Sequence, residues 1–381
     1  MNVLYGVVGE GMGHATRSRV VLEHLVAQGH QIRVVVSGRA HAFLTRAFAE
    51  QPSVKLFEIE GLHLDFDDGG LDLVRSLASN LASAPRSLVL NLDQISAVFA
   101  DGVTPDVAIS DFESWAYFYA RWKRIPVISI DNMQVLNRCA NPPTTTAFAS
   151  LDFRLAKLAV KAKLPGAYHY LITSFFFPRV RKPRTTLVPP ILRPIVLQAV
   201  REPQDHVLVY QTSPATREVL VPVLRSLPGE FRVYGTGREG VEGNVRLMPF
   251  SEAGFVDDLR TARAVIANGG LSLMGEAVHL HVPMMSIPIA GQFEQELNAR
   301  WLAELGYGMW SPSFEPAAIA LFLGGLSAFS EALERFEPRG NEMLVAAVDE
   351  LLARVARGEP RPDRLDTIGM GAYGAGSSDD S

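Results

Sequence analysis

The sequence of 381 residues has a single cysteine, Cys139, and few features that would direct it to a membrane. One cysteine excludes a disulfide framework and any metal site built from several cysteines. The N-terminal residues lack the basic segment of a signal peptide, and Glu10 interrupts them early. The longest apolar candidate, residues 277–293, contains two histidines and two prolines, so no transmembrane helix is expected. These absences predict a cytoplasmic protein.

Acidic residues are absent from one long stretch, although the whole chain has a net charge of −5. Between Asp152 and Glu202 there are ten lysines and arginines and no acidic residue. A pI near 6.0 does not favour nucleic acid as a partner, but the basic segment 153–201 predicts a surface that faces an anion. This segment either contacts an anionic membrane or a phosphorylated acceptor, or forms an ordinary amphipathic helix with a solvated basic face.

The chain is long enough for two domains, and its apolar runs alternate between strand and helix lengths. This alternation predicts an α/β fold with two parallel, doubly wound sheets. Strands are expected at 3–8, 32–36, 54–57, 106–110 and 126–130 in the first half, and at 207–210, 231–234, 264–267 and 283–287 in the second. Helices are expected at 13–28, 271–280, 293–305, 317–336 and 341–357, with two more within 71–100. Prolines cluster between Pro178 and Pro203, which predicts an extended connection.

The first glycine-rich turn connects the first strand to the first helix. Its residues are Gly9, Glu10, Gly11, Met12, Gly13 and His14. Glycines permit a tight turn and a close approach of a ligand, and the helix N-terminus directs unpaired N–H groups to it. A dinucleotide site would require an acidic residue at the end of the second strand, where the sequence has Ser37-Gly38-Arg39. His14 can act as a general base at the crevice, or it can simply fill the turn.

Asp111 follows the strand expected at 106–110, at the sheet edge where open α/β proteins bind ligands. A carboxylate at this position can orient the His14 ring and stabilise its protonated form. The alternative is an N-cap, because an aspartate before a helix commonly accepts hydrogen bonds from the first turn. The residue pattern alone leaves both interpretations open.

The third motif is Asn268-Gly269-Gly270-Leu271-Ser272-Leu273-Met274-Gly275-Glu276, which follows the strand expected at 264–267. Its glycines open a helix, so backbone N–H groups and the Ser272 hydroxyl can hold a phosphate. Glu276 lies one turn further on the same helix face, where a carboxylate can accept from ribose hydroxyls. After the next strand, Gln292, Glu294 and Gln295 provide groups that suit vicinal sugar hydroxyls.

These motifs together resemble the nucleotide-sugar glycosyltransferases of GT-B fold. The chain is most similar to bacterial and archaeal relatives of the lipid-intermediate N-acetylglucosaminyltransferase of peptidoglycan synthesis, and it shares a signature with the wider UDP-glycosyltransferase superfamily. The resemblance covers roughly residues 1–356. It implies two Rossmann-like domains that face a central cleft. The expected division is an acceptor domain at 1–196, a linker at 197–204, a donor domain at 205–335, a helix at 336–357 that packs back towards the acceptor domain, and a flexible tail at 358–381.

The resemblance also implies residue roles. His14 would deprotonate the acceptor with Asp111 as its partner, and the loop 9–13 would border the acceptor and phosphate. The residues implied to bind the donor are Thr212, Ser213, Phe250, Asn268, Gly269, Gly270, Ser272, Glu276, Gln292, Glu294 and Gln295. Among them, Glu276 would hold the ribose, Glu294 and Gln295 the sugar, and Phe250 would lie beside the base.

The sequence departs from the plant pattern at three of these positions. Asn268 replaces a histidine, Leu273 replaces a serine that helps to hold the phosphate, and Glu10 interrupts the glycines of the first loop. Binding of the diphosphate is therefore expected to depend more on backbone groups.

The implied activity is an inverting transfer from a UDP-sugar or dTDP-sugar to a small or lipid-linked acceptor, with no cofactor and no metal. The acidic turn with His63, Asp65, Asp67 and Asp68 is interpreted as exposed rather than metal-binding. The implied location is cytoplasmic, with possible peripheral contact at the inner face of the membrane through 153–201. Two alternatives stay open: a nucleotide-sugar epimerase of the same fold, and a non-catalytic protein that binds nucleotide-sugars or lipid-sugars.

Overall fold

The computed structural model describes residues 1–9, 12–60, 66–67, 70–71, 94–140, 151–212 and 218–366, with only the backbone at 66–67, 70–71 and 152. Glu10, Gly11, Ser213 and most of the two helices expected within 71–100 lie outside these ranges. Within them, the chain forms two seven-stranded sheets and a two-stranded hairpin of β4 (Phe66–Asp67) and β5 (Gly70–Leu71).

The first sheet is parallel throughout, with strand order β3-β2-β1-β6-β7-β8-β9. The strands are β1 (Asn2–Val7), β2 (Gln31–Val36), β3 (Val54–Glu58), β6 (Val107–Asp111), β7 (Val127–Asp131), β8 (His169–Thr173) and β9 (Thr185–Val188). The helices of this half are α1 (Met12–Ala27), α2 (Gly38–Ala47), α3 (Ser114–Trp122), α4 (Val135–Arg138) and α5 (Leu151–Lys163). The expected strands of the first half are confirmed to within about a residue because each is a short, largely apolar run, and all but β3 are almost fully buried.

The second sheet has the order β12-β13-β11-β10-β14-β15-β16, and only β12 is antiparallel. Its strands are β10 (Val207–Tyr210), β11 (Phe231–Tyr234), β12 (Gly240–Glu242), β13 (Val245–Leu247), β14 (Ala264–Ala267), β15 (Met284–Ser286) and β16 (Gly308–Trp310). The helices from the connection onward are α6 (Pro194–Leu197), α7 (Leu220–Arg225), α8 (Glu252–Thr261), α9 (Leu271–His279), α10 (Phe293–Glu304), α11 (Pro316–Gly324), α12 (Leu326–Glu334) and α13 (Glu342–Ala356).

Two expectations about the chain path are wrong. The single helix expected at 317–336 is two helices that meet at a bend of 53° at Gly325, because the Gly324-Gly325 pair has low helix propensity. The proline-rich connection is not extended throughout: β9 is extended, but it is followed by the short α6, which begins with Pro194 at a position that tolerates proline. Among the described residues no single helix is long and apolar enough to span a membrane, and only the bent pair α11–α12 passes that test of length and composition.

The C-terminal residues pack against the first sheet. Leu344, Val348 and Leu351 of α13 are buried in one cluster with Val3 and Tyr5 of β1. Residues 359–366, which the sequence analysis assigns to a flexible tail, also bind this domain: the Pro362 carbonyl lies 3.1 Å from His169 Nδ1. Residues 367–381 lie outside the described ranges.

The carboxyl ends of the two sheets face each other across a cleft. Ser272 Oγ at the start of α9 donates to the Gly13 carbonyl of α1 at 3.3 Å. The Phe153 ring of α5 packs edge-on against Phe293 of α10, with centroids 5.6 Å apart. The cleft therefore brings the first glycine-rich turn to the motif of residues 268–276, at the sheet edges where open α/β folds bind ligands. We call residues 268–276 the donor motif, after their expected role.

Candidate active site

The first glycine-rich turn is fixed by the end of the second strand. The Gly9 N–H donates to Ser37 Oγ at 3.1 Å. A Cβ at Gly9 would lie 1.9 Å from the Ser37 carbonyl oxygen, so this position requires glycine. Met12 and Gly13 open α1, and a Cβ at Gly13 would come 3.0 Å from Ser272 Oγ across the cleft.

His14 and Asp111 contact each other. His14 Nδ1 lies 2.9 Å from Asp111 Oδ1. The contact forms because β1 pairs with β6 in parallel register, Val7 opposite Asp111, so both loops leave the sheet at the same edge. The Asp111 side chain is 1% exposed and that of His14 is 24% exposed. The N-cap of α3 is Glu113, whose carboxylate accepts from the N–H groups of Trp115 and Ala116 at 2.7 Å each, so Asp111 is not the cap.

Two further residues of α1 bind Asp111, and the sequence analysis missed both. Arg17 Nε and Ser18 Oγ each donate to Asp111 Oδ2 at 2.9 Å. Arg17 Nη2 also donates to Oδ1 and lies 2.7 Å from His14 Nδ1. Residues 14, 17 and 18 share one face of a helix, and this spacing is the only signal that could have grouped them.

Burial and neighbouring charges shift the pKa values of both members of this pair. Burial alone would raise the pKa of Asp111, but Arg17 and His14 together hold it well below its usual range. Burial and then the Arg17 guanidinium lower the pKa of His14, and these outweigh the opposing effect of Asp111. The ring is therefore neutral at a pH where an exposed histidine would already be partly charged.

The donor motif is tightly folded around Gly269. A Cβ there would lie 2.3 Å from the Gln295 carbonyl oxygen. Gln295 Oε1 accepts from the N–H groups of Gly269 at 3.2 Å and Ile289 at 3.1 Å, and Gln295 Nε2 donates to Gln292 Oε1. In this structure Gln295 thus holds the loop, and Gln292 precedes α10 as its N-cap residue.

Asn268 is fully engaged by its own domain. Its Oδ1 accepts from the N–H and Oγ1 of Thr212 at 3.2 Å each, and its Nδ2 donates to Gln211 Oε1 at 2.8 Å. Gly270 is the N-cap of α9 and provides no side chain to the first turn, so the N–H groups of that turn point into the cleft beside Ser272. The expected dependence of the diphosphate contacts on backbone groups stays a prediction.

Glu276 is buried beneath this motif and is paired with Arg193. Its two oxygens accept from Arg193 Nε and Nη2 at 2.7 Å each, and Arg193 Nη1 donates to Glu252 Oε1 at 3.0 Å. The connection between the sheets also packs on α9 here, since a Cβ at Gly275 would lie 2.5 Å from the Pro190 Cβ. Arg193 was not among the expected site residues.

Two more carboxyl groups lie in the cleft. Glu294 Oε1 accepts from Asn298 Nδ2 at 2.6 Å and from Asn132 of the opposite domain. Burial raises the pKa of Glu294.

The second is Asp131, the last residue of β7. It accepts from Ser129 Oγ at 2.5 Å and from the Gln134 N–H at 2.8 Å, and burial raises its pKa to about 6. The sequence analysis did not identify Asp131 or Asn132.

Phe250 stands apart from these contacts. It lies between β13 and α8 with 75% of its surface exposed.

Some of the expected site residues lie outside the described ranges. They are Ser213, Glu10 and Gly11, so the structure places neither the second hydroxyl of the 212–213 pair nor the middle of the first loop. Within the described ranges no three His, Cys, Asp or Glu side chains form a group that could hold a metal ion. The side chains of the acidic turn at 63–68 lie outside them.

The profile of glycosyl transferase family 1 matches residues 1–327. The chain belongs to this family. An uncharacterised glycosyltransferase of Methanosarcina acetivorans is 26% identical to it over 344 residues, which cover 84% of this chain and 88% of the relative. A second one, from Methanosarcina mazei, is 26% identical over 349 residues with the same coverage.

Solved glycosyltransferases share the fold of this one. The glycosyltransferase of kitacinnamycin superposes with a TM-score of 0.64 at 18% identity, covering 92% of this chain and 98% of that one. MurG of Acinetobacter baumannii superposes with a TM-score of 0.55 at 16% identity, covering 91% and 99%. This glycosyltransferase therefore has the GT-B fold, with the His14–Asp111 pair on one wall of its cleft and the donor motif on the other.

Proposed function

We propose that this glycosyltransferase inverts the anomeric centre as it moves a sugar from a nucleoside diphosphate to an acceptor hydroxyl or amine. The observation that supports this best is the 2.9 Å contact between His14 Nδ1 and Asp111 Oδ1 in the cleft. Because Nδ1 faces the carboxylate, Nε2 is the ring nitrogen that can take the acceptor proton.

In the proposed reaction the acceptor oxygen or nitrogen attacks the anomeric carbon as the bond from that carbon to the diphosphate oxygen breaks. The acceptor proton passes to His14 Nε2, and the bonding electron pair leaves with the nucleoside diphosphate. The N–H groups and dipole of α9 stabilise the leaving group, with Ser272 and Thr212 beside them. One displacement converts an α-linked donor into a β-glycoside. This scheme requires neither a metal nor a cofactor, and the cytoplasmic location stays a prediction.

The donor is proposed to be a UDP-sugar, with a dTDP-sugar as the alternative. Glu276 would accept from the ribose, sharing its carboxylate with Arg193, and the exposed Phe250 ring would lie beside the base. Glu294, Gln295 and Gln292 would face the sugar. Glu294 Oε1 is already bonded to Asn132 and Asn298, so Oε2 is the oxygen proposed for the sugar hydroxyls.

The acceptor is proposed to be lipid-linked or otherwise apolar, because the first domain exposes apolar side chains together with positive charge. Leu151, Leu155 and Leu158 lie on one face of α5 and are 69%, 48% and 58% exposed. Phe118 and Trp122 of α3 are 57% and 65% exposed. We call these five side chains the apolar face.

The ordinary amphipathic interpretation of α5 does not describe this helix, because Phe153 and Val160 are its buried residues rather than the leucines. The two helices adjoin, since the Tyr117 hydroxyl of α3 donates to the Pro165 carbonyl just after α5. Residues 114–130 and 153–201 contain no acidic residue. We therefore propose that the apolar face, together with the lysines and arginines of these two segments, contacts an anionic membrane.

The first test is a thermal-shift comparison of UDP, dTDP, GDP and CDP. Saturation at about 100 times Kd should stabilise the protein by about 2.7 kcal/mol. The shift should appear with UDP, or with dTDP, and disappear in Glu276→Ala. Glu252→Ala is the matched control because it removes a carboxylate from the same Arg193 outside α9. If none of the four nucleotides causes a shift, or if the shift survives in Glu276→Ala, the donor-site assignment is contradicted.

The second test is turnover. Release of free nucleoside diphosphate should depend on an acceptor and should fall by about 10²–10⁴-fold in His14→Gln. His41→Gln should leave the rate unchanged, because the half-buried His41 of α2 pairs with Glu58 and not with Asp111. Release without an acceptor would favour the epimerase alternative, and donor binding without any turnover would favour the non-catalytic one.

A further inference from the structure

Arg17 contacts both members of the proposed base pair: it donates to Asp111 and lies 2.7 Å from His14 Nδ1, although it lies one turn inside α1 and only 6% of it is exposed. We propose that Arg17 is a positioning residue that keeps the His14 ring neutral and ready to accept a proton by sharing Asp111 with it. The inference rests on the proposed role of His14 as the base, and its test is independent of turnover.

The first step is the hydrogen bonding of Asp111, which is saturated. Oδ1 accepts from Arg17 Nη2 and stands 2.9 Å from His14 Nδ1, and Oδ2 accepts from Arg17 Nε and Ser18 Oγ at 2.9 Å each. A carboxylate has about four acceptor positions, and these four groups occupy them. Arg17 binds both oxygens in the two-pronged geometry that holds a carboxylate in one orientation.

The second step is charge. A carboxylate alone beside an imidazole stabilises the protonated ring, but here a guanidinium neutralises that carboxylate. Arg17 Nη2 lies 2.7 Å from His14 Nδ1 and cannot accept a proton, so a positive ring would face a second positive charge at contact distance. The ring is thus disfavoured in its charged form by the same residue that orients its partner.

The third step concerns the other charged groups that face the pair. Lys163 at the end of α5 adds a further positive influence on His14, and Asp111 is the carboxylate that opposes it. Asp131 and Glu294 face Arg17 from β7 and α10 and stabilise its positive charge. Arg17 therefore stays charged in the cleft, and its influence on His14 persists over the whole working range of pH.

A purely structural role for Arg17, that of tying α1 to the end of β6 without an electrostatic effect on the ring, would leave the titration of His14 unmoved once the protein folds. The two roles are therefore separated by the NMR titration of the His14 ring in the substrate-free protein. The His14 signal among the nine histidines is assigned by its loss in His14→Gln. In Arg17→Gln the midpoint of His14 should rise by about one pH unit or more, and in Arg17→Lys it should rise less.

Arg19→Gln is the matched control, since Arg19 lies on the same helix but pairs with Glu23 at the surface. It should leave the His14 midpoint in place. If Arg17→Gln fails to fold, Arg17→Gln combined with Asp111→Asn removes both buried charges together. Its midpoint should lie above that of Asp111→Asn alone.

The proposal is overturned by an unchanged midpoint in folded Arg17→Gln, by an equal shift in Arg19→Gln, or by equal midpoints in the double variant and Asp111→Asn. With substrates, the acid limb of the kcat/KM profile should move upward with the NMR midpoint. A shifted midpoint combined with full activity in His14→Gln would instead refute the proposed function and leave the effect of Arg17 on the ring intact.

Discussion

Arg193, in the connection between the two sheets, donates to both carboxylate oxygens of Glu276 on α9 at 2.7 Å. The two side chains are 13% and 5% exposed, so the pair is screened from solvent. The connection also packs on Gly275 of α9 through Pro190, so α9 and the link between the domains are held together here by both an ion pair and a close packing contact.

Removing one partner of this pair should destabilise the protein. Arg193→Ala leaves a buried carboxylate unpaired and should lower the free energy of unfolding by about 3–5 kcal/mol. Arg193→Ala combined with Glu276→Gln should recover part of the loss, because no unpaired charge then remains. Urea unfolding followed through the second domain measures both. Equal losses in the single and double variants would show that the loss comes from packing rather than from the charge.

The pKa of Asp131 predicts a pH dependence of stability. Burial raises this pKa from 3.8 to about 6, so between these values the folded protein binds a proton that the unfolded chain has lost. The stability from this group is therefore greatest at low pH and falls as the pH rises through 6. Asp131→Asn removes the cost of burying the charge and should stabilise the protein by about 3 kcal/mol at pH 7.5 but little at pH 4.

Asp111 should behave in the opposite way. Its pKa is held below the usual range, so its contribution to stability is present above pH 3.8 and is lost only as the pH falls towards the depressed value. Asp111→Asn should therefore destabilise the protein at pH 7.5. Thermal unfolding of both variants from pH 4 to 8 gives the comparison, and the same sign of effect in both at pH 7.5 would refute the assignment.

Most of the fold could be predicted because its inner strands are short apolar runs between loops. β8, β9, β12 and β16 were not among the expected strands. β12 and β16 have only three residues each, and three residues carry no detectable period. The break at Gly325 was missed because the apolar pattern continues through it on both sides. Glycine pairs override such a pattern through backbone entropy, which hydrophobic spacing does not register.

The site could be predicted where its residues follow strands. His14 and Asp111 leave neighbouring strands at one edge, so their proximity follows from the order of the sheet. Arg17 could not be found in this way, because an arginine within a helix is usually solvated and its partner is 94 residues away. Arg193 was not predicted for a similar reason. A proline-rich connection has no periodicity from which the direction of the Arg193 side chain towards α9 could be predicted.

Two adjacent glycines of the donor motif should respond differently to substitution. A Cβ at Gly269 would lie 2.3 Å from the Gln295 carbonyl oxygen, whereas a Cβ at Gly270 would meet nothing within 4 Å. Gly269→Ala should displace the loop and abolish the thermal shift caused by the nucleotide. Gly270→Ala, with an ordinary backbone at φ −70°, should preserve that shift. Similar binding in both variants would show that the loop does not form the nucleotide site.

The apolar face of α3 and α5 makes the membrane proposal testable with a matched pair of leucine variants. Leu155→Gln combined with Leu158→Gln should leave stability within about 0.5 kcal/mol, because both side chains are exposed. The same variant should weaken binding to vesicles that contain anionic lipid by at least about tenfold, since each leucine loses apolar burial in the lipid. Val241→Gln is the control: Val241 is 68% exposed in β12 of the second domain and lies outside both the face and the bent pair α11–α12. Vesicle co-sedimentation at low and high salt measures the effect, and the basic neighbours predict weaker binding at high salt. Equal binding by the double variant and the control would mean that α5 does not touch the membrane, and the exposed leucines would then be left to contact the acceptor itself.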